Sequence, residues 1–122
     1  MNYQKTFYYD DGKTIDYITK YEYDPQTGKR TKETFYRTDG KTIESITEYT
    51  PDGKLTKQTL YRTDGKTIDY ITEYDPQTAN KTKEINYLSD GKTINYTNKY
   101  NPQTGKFTKT TYYNPDGSIK SV

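Results

Sequence analysis

The chain has 122 residues, with 19 basic and 17 acidic side chains, for a formal net charge of +2. Ile, Leu, Val and Phe together number only 16, which excludes a thick aliphatic core, while 16 Tyr and 23 Thr favour strands over the disorder that high net charge would bring. Cys, His and Trp are absent, which excludes disulfides, a Cys/His zinc site and the usual general base near neutral pH.

The opening stretch, "MNYQKTFYYDDG", has no apolar run of the signal-peptide kind, and no later stretch approaches the length of a membrane span. Asp11-Gly12 marks a first turn, since Asp-Gly between alternating residues is the strongest short hairpin signal. The outward strand after it alternates Ile15, Tyr17, Thr19 and Tyr21 on one face with Asp16, Ile18 and Lys20 on the other. A second turn, "DPQTG" at 24–28, is preset by Pro and closed by Gly; Lys32, Thr34 and Tyr36 then share a face on the way back.

The second unit repeats this with Asp39-Gly40, then Ile43, Ser45, Thr47 and Tyr49 against Glu44, Ile46 and Glu48. It turns at "TPDG" (50–53) and returns through Lys57, Thr59 and Tyr61. The third runs from Asp64-Gly65 through Ile68, Tyr70, Thr72 and Tyr74 to "DPQTAN" (75–80), where Asn80 is expected to replace the turn-closing Gly. Its return leg carries Lys83, Ile85 and Tyr87. The fourth runs from Asp90-Gly91 through Ile94, Tyr96, Asn98 and Tyr100 to "NPQTG" (101–105), then Lys109, Thr111 and Tyr113, and Asp116-Gly117 opens a half-unit.

Successive Asp-Gly glycines lie 28, 25, 26 and 26 residues apart, and a Tyr stands four residues before each. One unit is therefore one β-hairpin, and no apolar stripe of helical period survives between the turns. The expected architecture is all-β: residues 1–122 form a single repeat domain of about four and a half hairpin units of 25–28 residues. They build an elongated antiparallel meander of nine or ten strands, either an open single layer or a gently coiled one. A lone hairpin is marginal in water, so stacking must supply the stability.

The string "Y-x-x-DGKTI-x-x-I-x-EYDPQTGK" resembles the short repeats of uncharacterised phytoplasma proteins, over nearly the whole chain from about Phe7 to Gly117. It is similar, more distantly and in architecture alone, to MORN-type and YD-type hairpin repeats; the Gly-aromatic pattern of true MORN units is missing. The resemblance implies a host-dwelling bacterium and supplies no catalytic residue.

Two columns are candidate binding residues. Lys32, Lys57, Lys83 and Lys109 form a basic column, and Tyr36, Tyr61, Tyr87 and Tyr113 sit two strand steps away on the same face. The lysines offer a ladder to an anionic partner; the plainer reading pairs them with Glu and Asp on adjacent strands, as the near-neutral balance suggests. The tyrosines offer a recognition surface, and their plainer role is to cover the sheet. Asp at the turns closes the turn itself and lacks the spacing of a calcium loop. Asp16 and Glu33, recurring in kind, make a poor acid-base pair. The expectation is thus a non-enzymatic interaction module without cofactor or metal, secreted or displayed under a signal absent from this chain. It would contact a host protein rather than nucleic acid. The alternative is a structural or spacer repeat with no ligand of its own.

Overall fold

The computed structural model describes residues 2–8 and 11–122. Ten strands run in order: β1 (Asn2–Tyr8), β2 (Ile15–Tyr23), β3 (Arg30–Tyr36), β4 (Ile43–Tyr49), β5 (Leu55–Tyr61), β6 (Ile68–Tyr74), β7 (Lys81–Tyr87), β8 (Ile94–Tyr100), β9 (Phe107–Tyr113) and β10 (Ile119–Ser121). They form one antiparallel sheet in sequence order, and each strand touches only its neighbours in the chain. The sheet is a single meander that does not close on itself, since β1 and β10 each pair with one neighbour, and it extends about 43 Å along its ladder.

With no second layer, the core is thin. The accessible surface is 7855 Å², against roughly 6,800 Å² for a compact monomer of this mass. The buried apolar side chains are Ile18, Tyr21, Ile71 and Ile85; the other buried positions are mostly mid-strand Thr, including Thr34, Thr59, Thr72, Thr97 and Thr111. Small β-branched residues at the strand centres lie beneath longer neighbours on both sides, which is how so polar a chain covers its ladder.

Both edges of the sheet are built by repeated devices. At the Asp-Gly edge, Asp39 Oδ1 accepts the backbone N–H groups of Lys41 and Thr42, each at 2.8 Å. Its Oδ2 accepts the Thr42 hydroxyl at 2.5 Å. Asp11, Asp64 and Asp90 repeat the arrangement, and Asp116 has a reduced form of it, its Oδ1 accepting both the N–H and the hydroxyl of Ser118. The "DGKT" string is thus a self-contained loop in which the carboxylate holds the Lys and Thr that follow the glycine. The turns also stack from one unit to the next. At Gly65, with φ +69°, a Cβ would meet Thr42 Cγ2 at 2.8 Å and the Ile43 nitrogen at 3.0 Å. Here glycine is needed both for the left-handed backbone and for the close approach.

At the Pro edge, Gly28 N donates to Asp24 O at 2.8 Å and Asp24 N to Lys29 O at 2.8 Å. The third copy corrects the sequence expectation. Ala79, not Asn80, takes the glycine position, with φ 64°. Asn80 instead donates through Nδ2 to Pro102 O at 3.0 Å and Gln103 O at 3.2 Å, tying its turn to that of the next unit. With Ala79 as the closing residue, the return leg to the next Asp-Gly glycine is 12 residues in all four units.

A register shift occurs at both ends of the hairpins. At the Asp-Gly edge it makes Ile15, Ile43, Ile68 and Ile94 the partners of Tyr8, Tyr36, Tyr61 and Tyr87. These isoleucines therefore leave the face of Tyr17 and Thr19 that simple alternation assigned them, because the extra residue of a bulge reverses the facing of the side chains beyond it. At the Pro edge the bulge is braced by a Thr hydroxyl: Thr31, Thr56, Thr82 and Thr108 donate to the carbonyls of Glu22, Glu48, Glu73 and Lys99.

The turns make the stability of the chain sensitive to single substitutions and to acid. Ala79→Gly removes a left-handed alanine and should raise the unfolding free energy by about 1 kcal/mol, whereas Gly65→Ala should lower it by more than about 1 kcal/mol, both read by urea denaturation. The carboxyls of Asp39, Asp64 and Asp90 are held down at about 2, first by the Thr hydroxyl and then by the backbone amides. A depressed folded value stabilises the fold above the unfolded one near 3.8. That contribution is complete above about pH 4 and lost as pH falls toward 2. Replacing the three with Asn should flatten the dependence of the urea midpoint on pH in that window.

Candidate functional site

Because Cα partners share a face of an antiparallel sheet, the register assigns every side chain to one of two surfaces. The first carries both candidate columns. Along its Pro-turn side the row reads Glu22, Lys32, Glu48, Lys57, Glu73, Lys83, Lys99 and Lys109 across β2 to β9. The acids alternate with Lys32 and Lys57, so the pairing reading holds there: Lys32 lies between two glutamates and reaches Glu22 at 3.9 Å. It fails at the last hairpin, where Lys99 occupies the place of a glutamate. Lys99 was not singled out by the sequence, although its departure from the "ITEY" pattern signals it.

On the same face, at the Asp-Gly edge, stand Tyr36, Tyr61, Tyr87 and Tyr113, all half-exposed. Tyr36 faces Ile18 on one side and Ile43 on the other. Burial, with a smaller push from Glu48, raises the Tyr61 phenol. The two columns are four residues apart along each return strand, about 14 Å, so a ligand touching both must span the width of the face. Between them lies the Thr and Ile row of Thr34, Ile46, Thr59, Ile71, Ile85, Thr97 and Thr111.

The opposite face is richer in aromatic contacts than the sequence columns indicate. Phe7 stacks on Tyr17 with centroids 4.4 Å apart, Tyr17 meets Phe35 at 5.9 Å, and Tyr96 meets Tyr112 at 5.9 Å. A shallow, open depression of about 360 Å³ lies among Asp16, Tyr17, Phe35, Glu44 and Ser45. On the Pro-turn side, Arg30 covers the Tyr21 ring at 4.0 Å and reaches Glu33 at 3.7 Å. Two repeats later Tyr100 Oη donates to Glu84 Oε1 at 2.5 Å, and this bond, with burial, pushes the phenol up to about 12. Burial alone would raise Glu84, but bonds from Tyr100 and Asn98 outweigh it and leave the carboxyl lowered.

Asp16 and Glu33 are not brought together. Glu33 is opposite Tyr21 and engaged by Arg30, while Asp16 lines the depression at the other edge. Asp11, Asp39, Asp64 and Asp90 have both oxygens committed to their own loops. Among the described residues, no three acidic side chains gather in a way that would hold a metal ion, and no helix is long and apolar enough to cross a membrane.

The repeats are also visible by comparison with known sequences. No curated protein matches the chain. One family matches four times in overlapping windows, at residues 8–60, 36–86, 61–112 and 87–122, the first three each spanning about two hairpins. The windows step at the tyrosines Tyr8, Tyr36, Tyr61 and Tyr87 that close each return strand. The chain belongs to that family, described as a protein of unknown function (DUF2963).

Proposed function

We propose that this chain is a non-enzymatic interaction module that contacts a protein partner along one face of its ladder. The observation that supports this reading is the column of Tyr36, Tyr61, Tyr87 and Tyr113: one half-exposed ring per hairpin, on an open face, about 9.6 Å apart. Tyr offers large contact area with a polar tip and little entropy to lose. Repeated at a fixed interval, it suits multivalent contact, in which each further site adds affinity without a new kind of contact.

In this reading the partner is a host protein, and the source is a bacterium of the phytoplasma type that secretes or displays the array. The resemblance of the "DGKTI" and "DPQTGK" strings supports that setting. The chemistry is recognition alone, since the carboxylates of the turns and of Glu33 and Glu84 are engaged within the sheet.

The test is capture of binding proteins from plant and insect lysates on the native chain. The controls are a heat-unfolded sample and a variant with Tyr36, Tyr61 and Tyr87 changed to Thr. A protein held by the native array and released by the Tyr variant is the expected result. Deleting residues 41–65, which joins Gly40 to Lys66 in register, should leave a folded chain that holds the same protein more weakly. Capture that is indifferent to the tyrosines and to repeat number would favour the structural or spacer role.

A further inference from the structure

The alternation of charge along the lysine row breaks at one place. Through β2 to β7 every lysine of the row has a glutamate as its direct cross-strand partner on at least one side, and Lys32 and Lys57 have one on both. Lys99 then pairs with Lys83 on one side and with Lys109 on the other. Like charges directly opposite in a sheet are destabilising, so strand β8 carries two unfavourable pairs where β4 and β6 carry favourable ones. Among the described residues none of the three lysines makes an ion pair; Lys99 and Lys109 are exposed and Lys83 is half-buried.

The surroundings reinforce the imbalance. Strand β8 reads "INYTNKY" where β6 reads "IDYITEY", so an Asp has become Asn95 and a Glu has become Lys99. Residues 1–86 carry 14 basic and 15 acidic side chains, while residues 87–122 carry five basic and two acidic. The nearest acid in the row is Glu73, which faces both Lys57 and Lys83. Next to Lys99 on the same face, Thr97 is 1% exposed and its hydroxyl makes no hydrogen bond. Independently of charge, this is a buried polar group left without a partner.

From this juxtaposition we propose that Lys83, Lys99 and Lys109 form a binding patch for a compact phosphate anion bearing two or more charges, free or carried on a lipid headgroup. Adjacent strands hold neighbouring lysines about 4.8 Å apart. Their flexible stems let two ammonium groups converge on one tetrahedral phosphate, a task for point charges rather than for the planar fork of Arg. An extended acidic peptide fits less well, since its same-side carboxylates recur about every 6.8 Å. Bound phosphate replaces the missing glutamate and turns two repulsive pairs into attractive ones. The patch is distinct from the tyrosine column and does not depend on the protein-interaction reading.

The experiment titrates the full chain with inorganic pyrophosphate at low ionic strength by calorimetry. In parallel, the chain is sedimented with phosphatidylcholine vesicles with and without phosphatidylinositol bisphosphate. Lys99→Glu restores the alternation seen at Glu48 and Glu73, so it should fold and resist urea at least as well as the parent. It should weaken anion binding about tenfold or more, while Lys57→Gln, flanked by glutamates, leaves binding unchanged. Binding of free pyrophosphate with this variant pattern supports the proposal with a soluble ligand. Sedimentation only with the phosphorylated vesicles, with the same pattern, supports it with a headgroup. No binding in either arm, or equal losses in the two variants, would overturn it. So would a poly-glutamate peptide that binds as tightly as pyrophosphate, since the patch would then serve acidic protein segments.

Discussion

Everything in this protein rests on contact between adjacent strands. With one layer and strands that touch only their sequence neighbours, no distant part of the chain adds to the stability of another. Cross-strand pairs, worth about 0.2–1 kcal/mol each, must be present in nearly every register position. The composition reflects that demand. Mid-strand Thr keeps the ladder covered, Tyr spreads over neighbours while its hydroxyl stays wet, and charged residues alternate so that opposites meet. Each hairpin is too thin to stand alone, and copying it is the simplest way to give each strand a neighbour on both sides.

The turns fix the register on which those pairs depend. A one-residue slip would exchange the two faces of a strand. The Asp-Gly loop prevents this by tying two residues to one carboxylate through three bonds, and the bulge at the opposite edge is bridged by a Thr hydroxyl bonded to the facing strand. Links between successive turns, such as Thr27 Oγ1 to Pro51 O at 2.5 Å and Thr78 Oγ1 to Pro102 O at 2.7 Å, hold one unit against the next. The close stacking of the Asp-Gly turns likewise means that a glycine such as Gly65 is required by its neighbour as well as by its own backbone.

Hairpin number, strand direction and the shared face of the Lys and Tyr columns were all legible in the sequence, because turn chemistry and period-two alternation are local signals. The bulges were not, and they moved Ile15, Ile43, Ile68 and Ile94 to the other face: a single extra residue leaves no mark that alternation can register. The role of Asn80 was misread for a related reason. Residue preference nominates Asn for a left-handed position over Ala, but place in the turn decides: Ala79, like Gly28 and Gly105, is the fifth residue, whose N–H closes back on the first, and Asn80 stands where the other copies have Lys29 and Lys106. Lys99 is meaningful only in register. Along the chain it is one more lysine, and across the sheet it interrupts a row of alternating charge. The aromatic contacts of Phe7, Tyr17 and Phe35 likewise join residues from three strands.

The open single layer is the central claim, since both faces are available for recognition only if no second layer forms. Small-angle X-ray scattering on the monomeric chain tests it most directly. A slab of ten strands about 43 Å long, 35–40 Å wide and 10 Å thick has a radius of gyration of about 16–17 Å. A compact globule of this length has about 14 Å, and an unfolded chain about 36 Å. A value near 16–17 Å, with a folded profile, is the result expected here. A value near 14 Å would mean that the sheet closes on itself and that one face is lost to its own core.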